Sequence, residues 1–310
     1  MNFTAQDVKA LREKTGVGMM KCKQALVKAD GDMDKAVDIL REEGIAVSAK
    51  KATRTAADGV VLAYTDSDKN VSVLVEVNSE TDFVAKNEKF QEFVLDVAKT
   101  IANENPADVD ALMDTKLNGS DMTVTEALQE LVLSIGENMK IRRFERVEGI
   151  VASYIHMGGA VGVLVNFETT PEIAAKPEFD VMGKDVAMQI AAMTPLYLDP
   201  ASVPAEVLDH EKGIIEAQLN EDPKFAGKPE KVIAGIVNGK VNKYYKENCL
   251  LEQEFVKAEK HENVQQYVNK VAKELGGDIK VTGFTRYAKG EGIEVEEKPD
   301  FASEIAEMIK

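Results

Sequence analysis

Apolar residues in the first fifty positions recur three and four residues apart, and polar or glycine-containing turns separate them into three groups. Thr4 and Asp7 have the spacing of a capping box, which predicts the start of a first helix. The third group ends before Gly44, where we expect its helix to end. The sequence therefore predicts a three-helix bundle over residues 1–52 and a linker over residues 53–57. The apolar helix positions are Val8 and Leu11, then Met19, Cys22, Leu26 and Ala29, then Met33, Ala36, Val37 and Leu40.

The remainder of the chain contains an internal repeat. Gly59 and Tyr64 recur 90 residues later as Gly149 and Tyr154, and the valine-rich segment that follows Tyr64 recurs at the same offset. The match continues into a helix at an offset of 89, and into a last helix and strand at an offset of 140. Each copy has the pattern strand, strand, helix, helix, strand, which predicts a three-stranded sheet covered on one side by helices.

The predicted fold class is α+β, with a three-helix bundle, a duplicated core of small antiparallel sheets with helices, and an inserted helical hairpin. The hairpin is predicted because two helical patterns, at 206–220 and 229–248, flank a turn-rich segment. Such an arm usually serves a partner or a second copy of the chain. The first copy of the core is predicted over residues 58–147, and the second over residues 148–195 and 257–290. The hairpin is predicted over residues 196–256.

The charge of the chain is uneven. The net charge is −16, but residues 1–57 contain 11 Lys and Arg against 8 Asp and Glu, so the remainder is strongly acidic. An acidic body is a poor partner for nucleic acid, which binds clustered basic faces. No apolar segment approaches membrane-spanning length, and the N-terminus has no basic region followed by an apolar stretch, so we expect no signal peptide. The two cysteines fit a reducing compartment. We therefore expect a cytoplasmic protein that binds neither nucleic acid nor membranes.

Motifs for catalysis are missing from the sequence. No phosphate-binding G-x-x-x-x-G-K-[ST] occurs, and the glycines at 290 and 292 lack the context of a dinucleotide-binding loop. The three histidines are separated from one another and from the cysteines, so no zinc-ligand spacing is visible. We expect no catalytic residue, no metal site and no cofactor, and hence a protein that is not an enzyme.

One segment departs from the repeat. Thr81 directly follows the second strand of the first copy and aligns with Thr170, but the Asp82-Phe83 pair after it has no equivalent in the second copy. A purely structural explanation is available, in which Thr81 or Asp82 caps a helix and Phe83 packs beneath it.

Several segments resemble the signature segments of a known family. These segments are similar to those of bacterial elongation factor Ts, and the likeness runs over essentially the whole chain. They are residues 15–23 (TGVGMMKCK), 81–87 (TDFVAKN), 135–138 (IGEN) with 141–143 (IRR), 281–284 (VTGF) and 290–293 (GEGI).

The resemblance implies a guanine-nucleotide exchange factor that binds elongation factor Tu in its GDP-bound and nucleotide-free forms and promotes GDP release during translation. It implies that the bundle is ubiquitin-associated-like and docks on the partner, that Asp82 and Phe83 intrude beside the partner's magnesium site, and that the hairpin forms a homodimer. Residues 291–310 correspond to a C-terminal module. The expected contact residues are Met19, Met20, Lys23, Thr81, Asp82, Phe83, Val84, Ile135 and His156.

Two other functions remain open at this stage. The first is an adaptor that binds partners through its N-terminal bundle without accelerating nucleotide release. The second is a thiol enzyme centred on Cys22 with His156, which the core spacing of Cys22 argues against.

Overall fold

The computed structural model describes residues 2–222, 224–225, 228–258 and 261–294. Most of the expected C-terminal module, residues 291–310, lies outside this described part. The chain divides into two compact units. Of the described residues, the first unit contains 2–62, 75–144 and 288–294, and the second contains those within 63–74 and 145–287.

The N-terminal bundle consists of α1 (Ala5–Thr15), α2 (Met19–Lys28) and α3 (Met33–Lys51). The predicted capping box is confirmed, because Thr4 Oγ1 accepts a hydrogen bond from the Asp7 N–H and Asp7 Oδ2 accepts one from the Thr4 N–H. Apolar side chains from all three helices close a small core. They are Val8, Leu11, Val17, Cys22, Ala25, Leu26, Ala29, Ala36 and Leu40.

The first copy of the repeat follows the predicted order of strands and helices. Its elements are β1 (Asp58–Asp66), β2 (Val71–Ser79), α4 (Asp82–Ala85), α5 (Glu88–Glu104), α6 (Val109–Met113), α7 (Val124–Ile135) and β3 (Met139–Glu148). The sheet order is β1-β2-β3. Every residue of β2 is buried, so both faces of this strand are covered rather than the one face that the sequence predicted.

The predicted end of the third helix is wrong, because α3 continues through Gly44 to Lys51. Gly44 is buried against α7, and a Cβ atom at this position would lie 3.4 Å from the backbone oxygen of Gln129. The glycine therefore allows two helices to approach closely instead of ending one of them. Arg41 and Glu130 form an ion pair across the same helix pair, at 3.6 Å.

The second copy contains β4 (Ile150–His156), β5 (Val161–Glu168), α8 (Pro171–Ala174) and α9 (Pro177–Met193), then the inserted α10 (Ala205–Glu221) and α11 (Glu230–Asn248), and finally α12 (Val264–Leu275) and β6 (Lys280–Ala288). The sheet order is β4-β5-β6, and β4 and β5 pair antiparallel. The two inserted helices share a small core of Ile215, Leu219, Val237 and Val241. The α+β class is confirmed. Within the described residues, no helix is both long and apolar enough to cross a membrane.

Candidate functional site

Phe83 is the most unusual side chain of the first unit. It lies in α4, directly after the end of β2, and 79% of its surface is exposed, whereas the next residue, Val84, is buried. The ring of Phe83 therefore lies in solvent, and Val84 is the residue of this turn that packs against the interior. The explanation in which Phe83 packs beneath a capped helix is therefore wrong.

The turn before Phe83 is held by two carboxylates. Thr81 donates from its backbone N–H and from its Oγ1 to the Glu137 carboxylate, at 3.1 and 2.9 Å. In the opposite direction, the Asn138 N–H donates to Glu80 Oε1 at 2.6 Å. We call Glu80 and Glu137 the acidic brace. Thr81 stands at the N-cap position of α4, but its side chain makes no capping bond, and its hydroxyl donates to Glu137.

Asp82 carries a negative charge at the surface beside Phe83. Lys86 donates a hydrogen bond to Asp82 Oδ2 at 2.6 Å. This bond, together with the positive charges of Lys86 and Lys289, holds the pKa of Asp82 below its ordinary value. The side chain is therefore ionised at neutral pH.

The second copy supplies an internal comparison for this turn. There the hydroxyl of Thr170 does cap α8 by accepting from the Ile173 N–H at 3.4 Å. Ile173 is buried like its counterpart Val84, but the exposed position of Phe83 is occupied by Glu172. The fold of the turn therefore requires the buried aliphatic residue and does not require an aromatic one at the exposed position.

Helix α2 presents a second exposed apolar surface on the same unit. Met19 and Met20 are 49% and 67% exposed, and Lys23 and Val27 on later turns are also exposed. Met19 has the helical spacing of the core residues Cys22 and Leu26, but its side chain is half exposed, as that of Met20 is. Val17 lies in the core just before the helix begins.

The end of α7 supports both surfaces. Leu133 contributes its side chain to the core of the bundle, and its carbonyl accepts a hydrogen bond from Lys21 Nζ at 3.4 Å. Ser134 Oγ donates to the Gly16 carbonyl at 2.8 Å, next to the start of α2. Ile135 is half-buried and is followed closely by Glu137, which holds Thr81. Three segments that carry the family resemblance therefore meet at one helix end.

His156 belongs to the second unit and ends β4. Its side chain is exposed, and its Nδ1 lies 2.9 Å from the hydroxyl of Tyr154. The next residue, Met157, is 79% exposed in a turn with positive φ. The sequence interpretation included His156 and missed Met157, although a methionine before two glycines was a visible sign of an exposed turn.

A buried carboxylate, Glu76, was also missed. It accepts hydrogen bonds from Arg142, Arg143, Asn78 and the Gly290 N–H, at 3.1, 2.6, 3.0 and 2.8 Å. Burial alone raises the pKa of Glu76, but these donors and the Arg143 charge outweigh burial and hold the pKa below its ordinary value. The visible signal was a single ionisable residue inside a valine-rich strand. Glu76 thus joins β2, β3 and the segment after β6.

The cysteines have an environment that does not suit nucleophilic chemistry. Cys22 is fully buried, and burial raises the pKa of its thiol. Burial likewise raises the pKa of Cys249 to about 11. Reactive thiols have lowered pKa values and access to solvent, so the thiol-enzyme interpretation loses its support.

In the part of the chain that the structure describes, no group of three His, Cys, Asp or Glu side chains is arranged to hold a metal ion.

Comparison with known proteins gives a consistent result. Residues 80–291 match the family described as Elongation factor TS. The chain is 48% identical over 313 residues to Elongation factor Ts from Clostridium kluyveri, with 99% of both chains covered. It is 48% identical over 310 residues to the Clostridium perfringens protein of the same name, and 46% identical over 314 residues to that of a Nitratiruptor species, again over almost the full length of each.

Proposed function

The chain belongs to the elongation factor Ts family, and from this we propose that it is a guanine-nucleotide exchange factor for elongation factor Tu. It binds the GDP-bound partner in the cytoplasm and promotes GDP release during translation elongation. It changes no covalent bond and needs no cofactor of its own.

The observation that carries the proposal is the exposure of Phe83 on a turn that is fixed from behind. Val84 is buried under the turn, and Thr81 is tied to Glu137, while the ring of Phe83 faces solvent. An aromatic side chain presented in this way can fill a pocket on a partner at little entropic cost, because its backbone is already ordered.

The mechanism follows from thermodynamic linkage. A factor that binds the nucleotide-free partner more tightly than the GDP-bound partner must weaken GDP binding by the same factor. We propose that Phe83 and Asp82 provide this difference by entering the partner beside its magnesium and phosphate site. Displacing the magnesium ion removes the largest positive charge near the phosphates, so the nucleotide dissociates faster.

The exposed face of α2 provides the docking contact in this proposal. Met19 and Met20 have flexible, polarisable side chains that adapt to an apolar surface, and Lys23 adds a positive charge beside them. The other contact residues expected from the resemblance stay predictions: Thr81, Val84, Ile135 and His156.

The inserted hairpin is proposed as a dimerisation arm. Ile214 on α10 and Val232 on α11 are exposed, and the core between the two helices is small. A second copy of the chain would cover such side chains. Sedimentation velocity over a range of concentrations tests this, and a monomer at every concentration would refute it.

The exchange function is tested by stopped-flow release of a fluorescent GDP from purified elongation factor Tu, chased with unlabelled GDP. The chain should accelerate release in proportion to its concentration. Phe83→Ala should reduce that acceleration by about 10- to 150-fold, because a buried aromatic anchor contributes about 1.5–3 kcal/mol. Glu172→Ala, at the equivalent exposed position of the second copy, is the matched control and should leave release unchanged.

Two results would argue against the proposal. If the folded chain binds elongation factor Tu but does not accelerate release, the adaptor function is correct instead. If both variants behave like the unmodified chain, the exchange activity does not depend on Phe83.

A further inference from the structure

We propose that the acidic brace, Glu137 together with Glu80, consists of positioning residues for Phe83. In this inference the two carboxylates set the exchange activity through the conformation of the turn and do not contact the partner. The inference rests on the proposed exchange function and identifies what holds its central side chain in place.

Helix α4 is too short to be stable without contacts from other parts of the chain. It has four residues, Asp82–Ala85, and no side chain caps its N-terminus. A single helical turn is unfavourable in isolation, and an unused N-cap position makes it more so. The geometry of Phe83 therefore depends on contacts from outside the helix.

The acidic brace supplies these contacts in both directions. Glu137 accepts two hydrogen bonds from Thr81, and Glu80 accepts one from the backbone of Asn138. Ionised acceptors make shorter and stronger hydrogen bonds than neutral ones. A crossed pair of this kind fixes the separation of the two turns as well as their orientation.

The second copy shows that the brace accompanies Phe83 and is not a requirement of the fold. Glu137 corresponds to Gly277 at the offset of 140, and Glu80 corresponds to Thr169 at the offset of 89. There a Cβ atom on Gly277 would lie 2.4 Å from the end of the Ile173 side chain, so a side chain at this position would require Ile173 to move. Thr169 instead donates to the Asp278 carbonyl at 2.7 Å. The same two turns meet without carboxylates, in the copy that has Glu172 at the exposed position.

Both carboxylates are turned toward the protein. The Glu80 side chain is 21% exposed and lies 3.5 Å from Arg54 Nη1. Glu137 is half-buried, with both oxygens occupied by Thr81. Neither is available as an exposed contact, whereas Phe83 is. The acidic brace therefore acts through the turn.

A double-mutant cycle on the full chain tests this inference, with GDP release from elongation factor Tu as the readout. Glu137→Ala should lower the acceleration by about five- to tenfold, as expected for the net contribution of an intramolecular hydrogen bond. In the Phe83→Ala background the same change should lower it by less than about 1.5-fold, because a residue that acts only through Phe83 has nothing left to position. Hydrogen exchange at the Thr81 amide should become faster in Glu137→Ala.

Glu126→Ala is the matched control. Glu126 also accepts a backbone hydrogen bond, from the Thr123 N–H at 2.8 Å, but at the opposite end of α7. It should leave GDP release unchanged. Thr81→Val removes only the hydroxyl donor, and it replaces Glu137→Ala if that variant does not fold; its expected loss is about two- to threefold.

Failure of the proposed exchange function and failure of the positioning role give different results. If the unmodified chain does not accelerate release, the proposed function fails and the inference fails with it. If the chain is active but Glu137→Ala lowers the rate equally in both backgrounds, the exchange function stands and the positioning role is overturned.

Discussion

Removing the buried charge of Glu76 should destabilise the first unit strongly. In Glu76→Gln, the guanidinium groups of Arg142 and Arg143 lose the buried carboxylate that they share, while Arg143 keeps its ion pair with Glu291 at 3.5 Å. Breaking a buried ion pair on one side costs about 3–5 kcal/mol. We expect the lower end, about 3 kcal/mol, because the arginines are 24% and 31% exposed and glutamine keeps one acceptor. For a unit of this size, that corresponds to a fall in Tm of about 6–12 °C.

The pH dependence of stability gives an independent check. The pKa of Glu76 is lowered in the folded protein, so its contribution is present above the unfolded-state pKa of about 4.3 and is lost as pH falls through the folded value. The stability difference between the unmodified chain and Glu76→Gln should therefore be largest near neutral pH and shrink below about pH 4.

Thermal unfolding by circular dichroism and hydrogen exchange at the Gly290 amide measure the two effects. The Gly290 N–H donates directly to Glu76, so its exchange should accelerate by at least about tenfold in the variant. Glu148→Gln is the control, since the Glu148 side chain is 69% exposed and remains hydrated beside Arg146; about 1 kcal/mol or less is expected there. Equal shifts in Tm for the two variants would refute the reasoning.

Two further predictions concern other parts of the first and second units. Met20→Ala should weaken binding to elongation factor Tu by about 1–2 kcal/mol in calorimetry, the value expected when one partly exposed apolar side chain becomes buried. The variant should have the same Tm as the unmodified chain. A large fall in Tm would contradict the assignment of Met20 to the surface. Cys22 and Cys249 should not react with a thiol reagent in the folded protein and should both react in denaturant, because they are buried with raised pKa values; rapid labelling of the folded chain would reopen the thiol interpretation.

Local signals in the sequence predicted most of the secondary structure. The capping box at Thr4 and the repeat that begins at Gly59 and Gly149 depend only on residue type and spacing, and both are present in the structure. Gly44 misled the prediction because a glycine that ends a helix and one that allows another helix to approach look the same in sequence. The difference lies in α7, which is about ninety residues away along the chain.

The residues of the candidate site could be predicted from the sequence, but the contacts that hold them in place could not. Phe83 stood out because the second copy has a different residue there. Its exposure depends on long-range packing that a local pattern does not contain. Glu137 belongs to the IGEN motif, but nothing in the sequence connects it to Thr81, 56 residues away. The apolar spacing of Met19 fitted a core position, and the core was filled from Val17 instead.

The packing of α3 against α7 has a further consequence for the lifetime of a complex with a partner. If the bundle and the Phe83 turn both contact the partner as proposed above, the chain is a ligand with two contact points at a fixed spacing, because both are attached to the end of α7. Once one point has bound, the second meets its site at an effective concentration in the millimolar range or above. Each contact can then be weak enough to release quickly by itself while the pair holds the partner. Such a factor dissociates in steps, and a change in the partner that breaks one contact is enough to set it free.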